Sequence, residues 1–371
     1  MTKLQEAYTQ EKQSIWLDYI RRTLMSSGEL QQLIDKGLRG MTSNPTIFAE
    51  AISESDDYDE EIHQLQRAGK ELKQIYESLA IADIRAAADQ FRPLYQESNY
   101  GDGYVSLEAN PNLADDTDGT LSEVRRLWKE VDRPNVMIKV PATPAGVPAI
   151  ATLLGEGINI NVTLMFSLAH YEAVADAYLQ GIETLLAQQG NLERLASVAS
   201  FFVSRVDTEV DAQLEKIGNR NLQGKIGIAN AKMAYARYLN VFSSPRFQRL
   251  AKAGARPQRI LFGSTSVKNP DYPEMLYVDN LMGANTVNTL PRATIKAMDT
   301  GATIASGITQ NLEAARQQIV QLAEVGVDLH VITEELQKVG VRKFADSFQE
   351  LFDAIEKELQ QQEAREQDNQ C

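Results

Sequence analysis

Short apolar runs alternate along the chain with longer stretches whose apolar positions recur at helical spacing. The short runs are Ile15–Ile20, Gly40–Thr42, Tyr104–Glu108, Val136–Pro141, Ile158–Thr163, Val198–Val203, Ile260–Ser264 and Thr286–Thr289. Most are apolar on both faces, as strands buried in a parallel sheet must be. Between them the amphipathic pattern predicts helices over Leu72–Gln90, Thr120–Glu130, Leu168–Gln188, Asp207–Leu214, Asn230–Ala251 and Pro273–Met282. Strands alternating with helices in this way predict an α/β protein, a (β/α)8 TIM barrel. A doubly wound open sheet gives a similar pattern. Such sheets usually carry a glycine-rich nucleotide turn, and neither G-x-G-x-x-G nor G-x-x-x-x-G-K-[ST] occurs. Beyond Ser306 the spacing is helical again, over Leu312–Ala323 and Ile332–Leu359. No linker or repeat interrupts the chain. We therefore expect one barrel domain over residues 1–371, with a C-terminal helical extension from about residue 307 packed on it. The polar tail QQEAREQDNQC is expected to fray.

Composition narrows the chemistry. The formal net charge of −14 argues against a broad nucleic-acid face, which needs clustered Lys and Arg. A cleft with two or three basic residues can still hold a small anion. The single cysteine, Cys371, leaves no partner for an internal disulfide. His63, His170 and His330 are scattered and match no zinc pattern, so no metal site is expected. The opening MTKLQEAYTQEKQSIW lacks the apolar core of a secretory signal. No apolar run is long enough to span a membrane, and a cytoplasmic location is expected.

Catalytic residues of such barrels project from the C-terminal ends of the strands. Polar residues there are therefore the informative ones: Asp18, Asn44, Glu108, Lys139, Asn161, Thr163, Ser200, Arg205, Ser266 and Lys268. Lys139 is the sharpest, because it interrupts the apolar run VMIKVPAT. Burying a charged lysine is costly, and desolvation favours the neutral amine that attacks carbonyls. A structural lysine paired with a carboxylate is the competing reading. Glu108 ends the preceding strand, and Asn161 and Thr163 end the next. Asp18 and Glu108 supply general acid and base groups for the same amine, although each alone also suits an ion pair. Asn44, Asn161, Thr163 and Ser200 equally suit turns, helix caps or barrel-end hydrogen bonds. Ser266 and Lys268, in a glycine-containing turn, and Arg205, at a helix start, could hold a phosphate or simply face solvent.

Read with their neighbours, these residues resemble the transaldolase family, in its longer bacterial form. The matching segments are GLRGMTSNPTIF, GYVSLEANPNLADD, NVMIKVPATPAG, GININVTLMFSLAHY, SVASFFVSRVD, IGIANAKMAYARY, LFGSTSVKNPDY and ANTVNTLP. With WLDYI they span about Ser14 to Pro291. MIKVPAT followed by INVTLMFS is the most specific combination. The resemblance implies a (β/α)8 barrel with a Schiff-base lysine on its fourth strand, which is where Lys139 falls. It implies transfer of a dihydroxyacetone unit from a ketose phosphate to an aldose phosphate, with no metal or organic cofactor. Lys139 then matches the nucleophile. Asp18 matches the acid/base of carbon–carbon cleavage, and Glu108 a carboxylate acting through a water held by Thr163. Asn44, Asn161 and Ser200 match the pocket around the dihydroxyacetone unit. Arg205, Ser266 and Lys268 fall where the family binds phosphate. The GSTSVKN turn is one residue longer than the G-A-S-F-R-N turn of shorter transaldolases. A Schiff-base aldolase that releases free dihydroxyacetone, and a barrel that only binds, are the competing functions. Sugar phosphates are the expected partners, with no nucleic acid or membrane. Both a monomer and a homodimer are compatible with the acidic surface.

Overall fold

The computed structural model describes residues 1–368, with side chains through Gln361. Eight parallel strands close into a barrel in chain order. They are β1 (Gln13–Asp18), β2 (Gly40–Thr42), β3 (Tyr104–Glu108), β4 (Val136–Pro141), β5 (Ile160–Met165), β6 (Ser197–Phe202), β7 (Arg259–Gly263) and β8 (Thr286–Leu290). Pairing of β8 with β1 closes the ring and settles the choice against an open sheet. The fold is a (β/α)8 TIM barrel with additional C-terminal helices.

The barrel interior is layered by the two-residue period of its strands. A lower layer is apolar: Trp16, Tyr104, Met137, Val198, Leu261 and Val287 form one buried cluster. Gly40 lies beside the Trp16 indole, where a Cβ would come within 2.5 Å of the ring, so glycine at the start of β2 is what lets the indole fill the barrel. Two residues further along β1, β4 and β6, the same face carries Asp18, Lys139 and Ser200. On β3 the step runs from Tyr104 through Ser106 to Glu108. Packing thus gives way to chemistry towards the C-terminal mouth.

Several boundaries differ from those expected. β1 begins at Gln13, whose buried side-chain amide donates to the Leu281 carbonyl and to Thr286 Oγ1, so its amide nitrogen is satisfied inside the sheet. It ends at Asp18 rather than Ile20. β5 runs to Met165, where pairing with Phe201 resumes after a register shift that follows Val162; within the shift Leu164 takes a left-handed conformation, φ 59°. The stretch Asn230–Ala251 is two helices, Ile226–Phe242 and Pro245–Lys252, because Pro245 starts a new helix capped by Ser244. Over Pro273–Met282 only Leu276–Asn280 is helical. Pattern reading also missed an N-terminal helix, Lys3–Glu11, closed by a capping box between Thr2 and Gln5.

The last helix is the longest, Leu329–Asp368, and continues past the Leu359 limit into the tail expected to fray. Cys371 lies outside the described residues. This helix crosses the C-terminal mouth of the barrel. Gln337 is buried and donates to the carbonyls of Ala142 and Leu164, just past β4 and within β5. Thr46 donates to Ser347, and His170 contacts Glu334 at 2.7 Å. No helix among the described residues is long and apolar enough to cross a membrane.

Candidate active site

Strand register assembles the centre. Glu108 on β3 pairs with Lys139 on β4, which pairs with Asn161 on β5, so three polar residues stand side by side. Lys139 is 5% exposed, and its Nζ lies 2.7 Å from Glu108 Oε2. It also donates to the Ser43 carbonyl at 3.0 Å. An ammonium this deep is costly without such partners. Burial pushes the Glu108 carboxyl above its ordinary range, while Lys139 pulls it back and Asp18 adds to the rise.

Asp18 stands at the end of β1, partly open to the cavity. Burial raises its carboxyl as well, opposed by Lys139, a hydrogen bond from Thr42 and Arg205. Thr42 Oγ1 donates to Asp18 Oδ1 at 2.7 Å and contacts Thr289 Oγ1 at 2.7 Å. Opposite, Ser200 donates to Asn161 Oδ1 at 2.6 Å, and Asn161 donates to Ser106 Oγ at 3.0 Å. That chain fixes the amide orientation of Asn161. Thr163 Oγ1 is buried with no hydrogen-bond partner. Buried hydroxyls normally have one, so this oxygen is set to hold a water or a ligand.

A cavity of about 180 Å³ opens on these groups. Of the residues expected from sequence, Asp18, Asn44, Lys139, Thr163, Ser200, Arg205, Ser266 and Lys268 line it. Glu108 and Asn161 sit immediately behind, touching Lys139 and Ser200. Asn44 has a structural task too: its side chain accepts from Ile47 N and caps the helix Pro45–Ser53. Arg205 lies in the first turn of the helix Ser204–Lys216, over the Phe202 ring at 5.2 Å. Among the described residues no hydrogen bond or ion pair engages its guanidinium, and burial lowers its pKa against the pull of Asp18. A half-buried cation left in this state suits an incoming anion. Lys268 is exposed at the rim, and Ser266 is half-buried beside it. The turn between them and β7 begins with Ser264 at φ 53°, held by a backbone hydrogen bond from Ser204 N to Ser264 O.

Sequence reading missed Thr42, Thr289 and Phe344, which also line the cavity. Thr42 ends β2 and Thr289 is the penultimate residue of β8, and the strand-end rule that singled out Asp18 applies equally to them. Phe344 comes from the C-terminal helix, and nothing local in its sequence points inward. Among the described residues no group of three or more His, Cys, Asp or Glu side chains is placed to hold a metal.

Fold and site together define a (β/α)8 barrel with a carboxylate-flanked lysine at its C-terminal mouth and an uncommitted arginine at the pocket wall. Comparison with known proteins is specific. The model of the family described as Transaldolase/Fructose-6-phosphate aldolase matches residues 15–355. A protein named Transaldolase from Parafrankia sp. (strain EAN1pec) is 47% identical over 351 residues, 93% of this chain and 95% of that protein. One of the same name from Saccharopolyspora erythraea is 47% identical over 359 residues, 96% of this chain and 98% of its own length. Transaldolase 2 from Nostoc sp. is 43% identical over 359 residues, 93% of this chain and 94% of its own. The chain belongs to the transaldolase/fructose-6-phosphate aldolase family.

Proposed function

We propose that this protein is a transaldolase, moving a dihydroxyacetone unit from sedoheptulose 7-phosphate or fructose 6-phosphate to glyceraldehyde 3-phosphate or erythrose 4-phosphate. The observation that carries the reading is Lys139: a buried amine 2.7 Å from a buried carboxylate, opening on a cavity with an unpaired arginine. The names of the relatives support it.

The neutral Lys139 amine attacks the ketose carbonyl, and loss of water gives an iminium. Glu108, with a water on Thr163 Oγ1, moves the protons of that exchange. Asp18 takes the C4 hydroxyl proton as the C3–C4 bond breaks, and the electron pair passes into the iminium. The leaving aldose phosphate departs, the acceptor aldehyde enters, and the steps reverse. Asn44, Asn161 and Ser200 orient the three-carbon unit. Arg205, Ser266 and Lys268 hold the phosphate, supplying binding energy remote from the reacting bond. The iminium is itself the electron sink, so the proposed reaction calls for no metal and no organic cofactor. The whole chain is proposed to act as one domain in the cytoplasm on soluble sugar phosphates.

Borohydride reduction in the presence of fructose 6-phosphate should attach the ketose to Lys139, located by peptide mass analysis. Lys139→Arg should give no adduct and no turnover while folding normally, because a guanidinium stays protonated. An adduct on another lysine would overturn the assignment.

A further inference from the structure

The C-terminal helix reaches the reaction centre with one side chain. Phe344 is 6% exposed, lines the cavity, and has its ring centroid 5.7 Å from Lys139 Nζ. Its neighbours on the helix are pinned to the barrel mouth on both sides. Before it, Gln337 donates to the Ala142 and Leu164 carbonyls, and Gly340 lies so close to Leu164 that a Cβ would meet its Cδ2 at 2.9 Å. After it, Ser347 takes the Thr46 hydroxyl. Phe344 belongs to an apolar cluster with Leu164, Phe166, Phe202 and Val206. An aromatic ring held at an amine presents carbon on that side and offers a water none of the strong hydrogen-bond partners that would order it.

We infer that Phe344 is the dry cap of the pocket, a specificity residue that decides how often the lysine-bound three-carbon unit passes to an aldehyde instead of escaping. The inference rests on the Schiff-base reading above. After cleavage the unit remains on Lys139 as an enamine. If its carbon takes a proton, an iminium forms. Water then adds to the iminium carbon, the carbon–nitrogen bond breaks, and free dihydroxyacetone leaves as the amine is regenerated. Both steps need water or a proton carried by it, and an apolar wall denies them access.

The test uses the full chain with fructose 6-phosphate as donor and erythrose 4-phosphate as acceptor. Free dihydroxyacetone is measured against sedoheptulose 7-phosphate formed, and the borohydride adduct on Lys139 is measured in parallel. Phe344→Gln and Phe344→Met have similar length and differ in polarity. The Gln variant should release about tenfold more dihydroxyacetone per transfer than the Met variant, a difference of one decade in relative barrier crossing, with adduct formed in both. Phe344→Asn against Phe344→Leu repeats the comparison at smaller volume if either first variant fails to fold. Equal ratios within a folded pair that still forms the adduct overturn the inference. Absence of the adduct in the unaltered protein overturns instead the Schiff-base reading on which it rests.

Discussion

Asp18 and Glu108 face one amine, and burial raises both carboxyls while Lys139 opposes the rise. Their surroundings differ. Glu108 touches Lys139 directly, whereas Asp18 is held by Thr42, its register partner on the adjacent strand β2. That difference predicts a division by step. Asp18→Ala should still form the covalent adduct but stall before cleavage, so the trapped mass should be that of the intact donor. Glu108→Ala should slow adduct formation itself by roughly 10²–10⁴-fold, the range of a lost general acid or base. Rapid-quench trapping of both variants distinguishes this from a shared electrostatic role, in which the two would depress every step alike. Much of this centre was legible in single residues. Lysine and carboxylates towards the ends of otherwise apolar strands stand out because burying them is costly, although a structural ion pair would carry the same mark. Thr163 was legible as a strand end, but its unsatisfied hydroxyl follows only from coordinates. The two-sided task of Asn44 also needed the structure, since capping and lining are not exclusive.

At the scale of elements, the eight strand cores could be read from sequence because burial on both faces leaves short, mostly apolar runs between the helices. The breaks between helices could not, where a serine–proline step outweighed continuous amphipathicity at Ser244 and Pro245. Nor could the path of the C-terminal helix, which is set by tertiary contacts such as that of Gln337 with two strand-end carbonyls. The phosphate side of the pocket is likewise a product of two elements. Arg205 rides on the helix Ser204–Lys216 and Lys268 on the loop after β7. Tyr272, in that loop, donates to Asp211 on the same helix at 2.6 Å, tying the two together. Arg205→Ala should raise KM for phosphorylated donors by about 10- to 150-fold, the equivalent of about 1.5–3 kcal/mol for a charge-assisted hydrogen bond. Lys268→Ala, at an exposed rim, should fall near the low end of that range. Tyr272→Phe should raise the same KM by a smaller factor with little change in kcat, because it loosens the loop without touching the reacting atoms. Unphosphorylated ketose donors serve as the control. A Lys268 or Tyr272 variant that weakens both donor types equally would remove these residues from the phosphate site.

Over the whole molecule, acidity and burial combine into a pH dependence of stability. The chain carries 51 Asp and Glu against 37 Lys and Arg. The carboxyls of buried Asp83, Glu108 and Asp207 and of half-buried Asp18 and Asp211 are all raised in the folded state, with desolvation the leading cause in each. Asp207 is the largest resolved case, pushed up to about 7 despite hydrogen bonds from Gly227 N and the Tyr277 hydroxyl. A carboxyl that holds its proton more tightly when folded binds more protons in the native than in the unfolded chain between the two pKa values. For Asp207 stability should therefore fall as pH rises from about 4 to about 7, at up to about 1.4 kcal/mol per pH unit, and the other four carboxyls act in the same direction. This is the reverse of the usual acid-denaturation slope set by carboxylates in salt bridges. Repulsion among the surface carboxylates, growing over the same range, acts in the same direction. Asp207→Asn preserves an acceptor for Gly227 N and removes the titration. In urea melts between pH 5 and pH 8, the variant should lose less stability than the parent up to about pH 7, and the two curves should run parallel above it. Parallel curves across the whole range would show that Asp207 is ionised throughout, and that its two hydrogen bonds outweigh its burial.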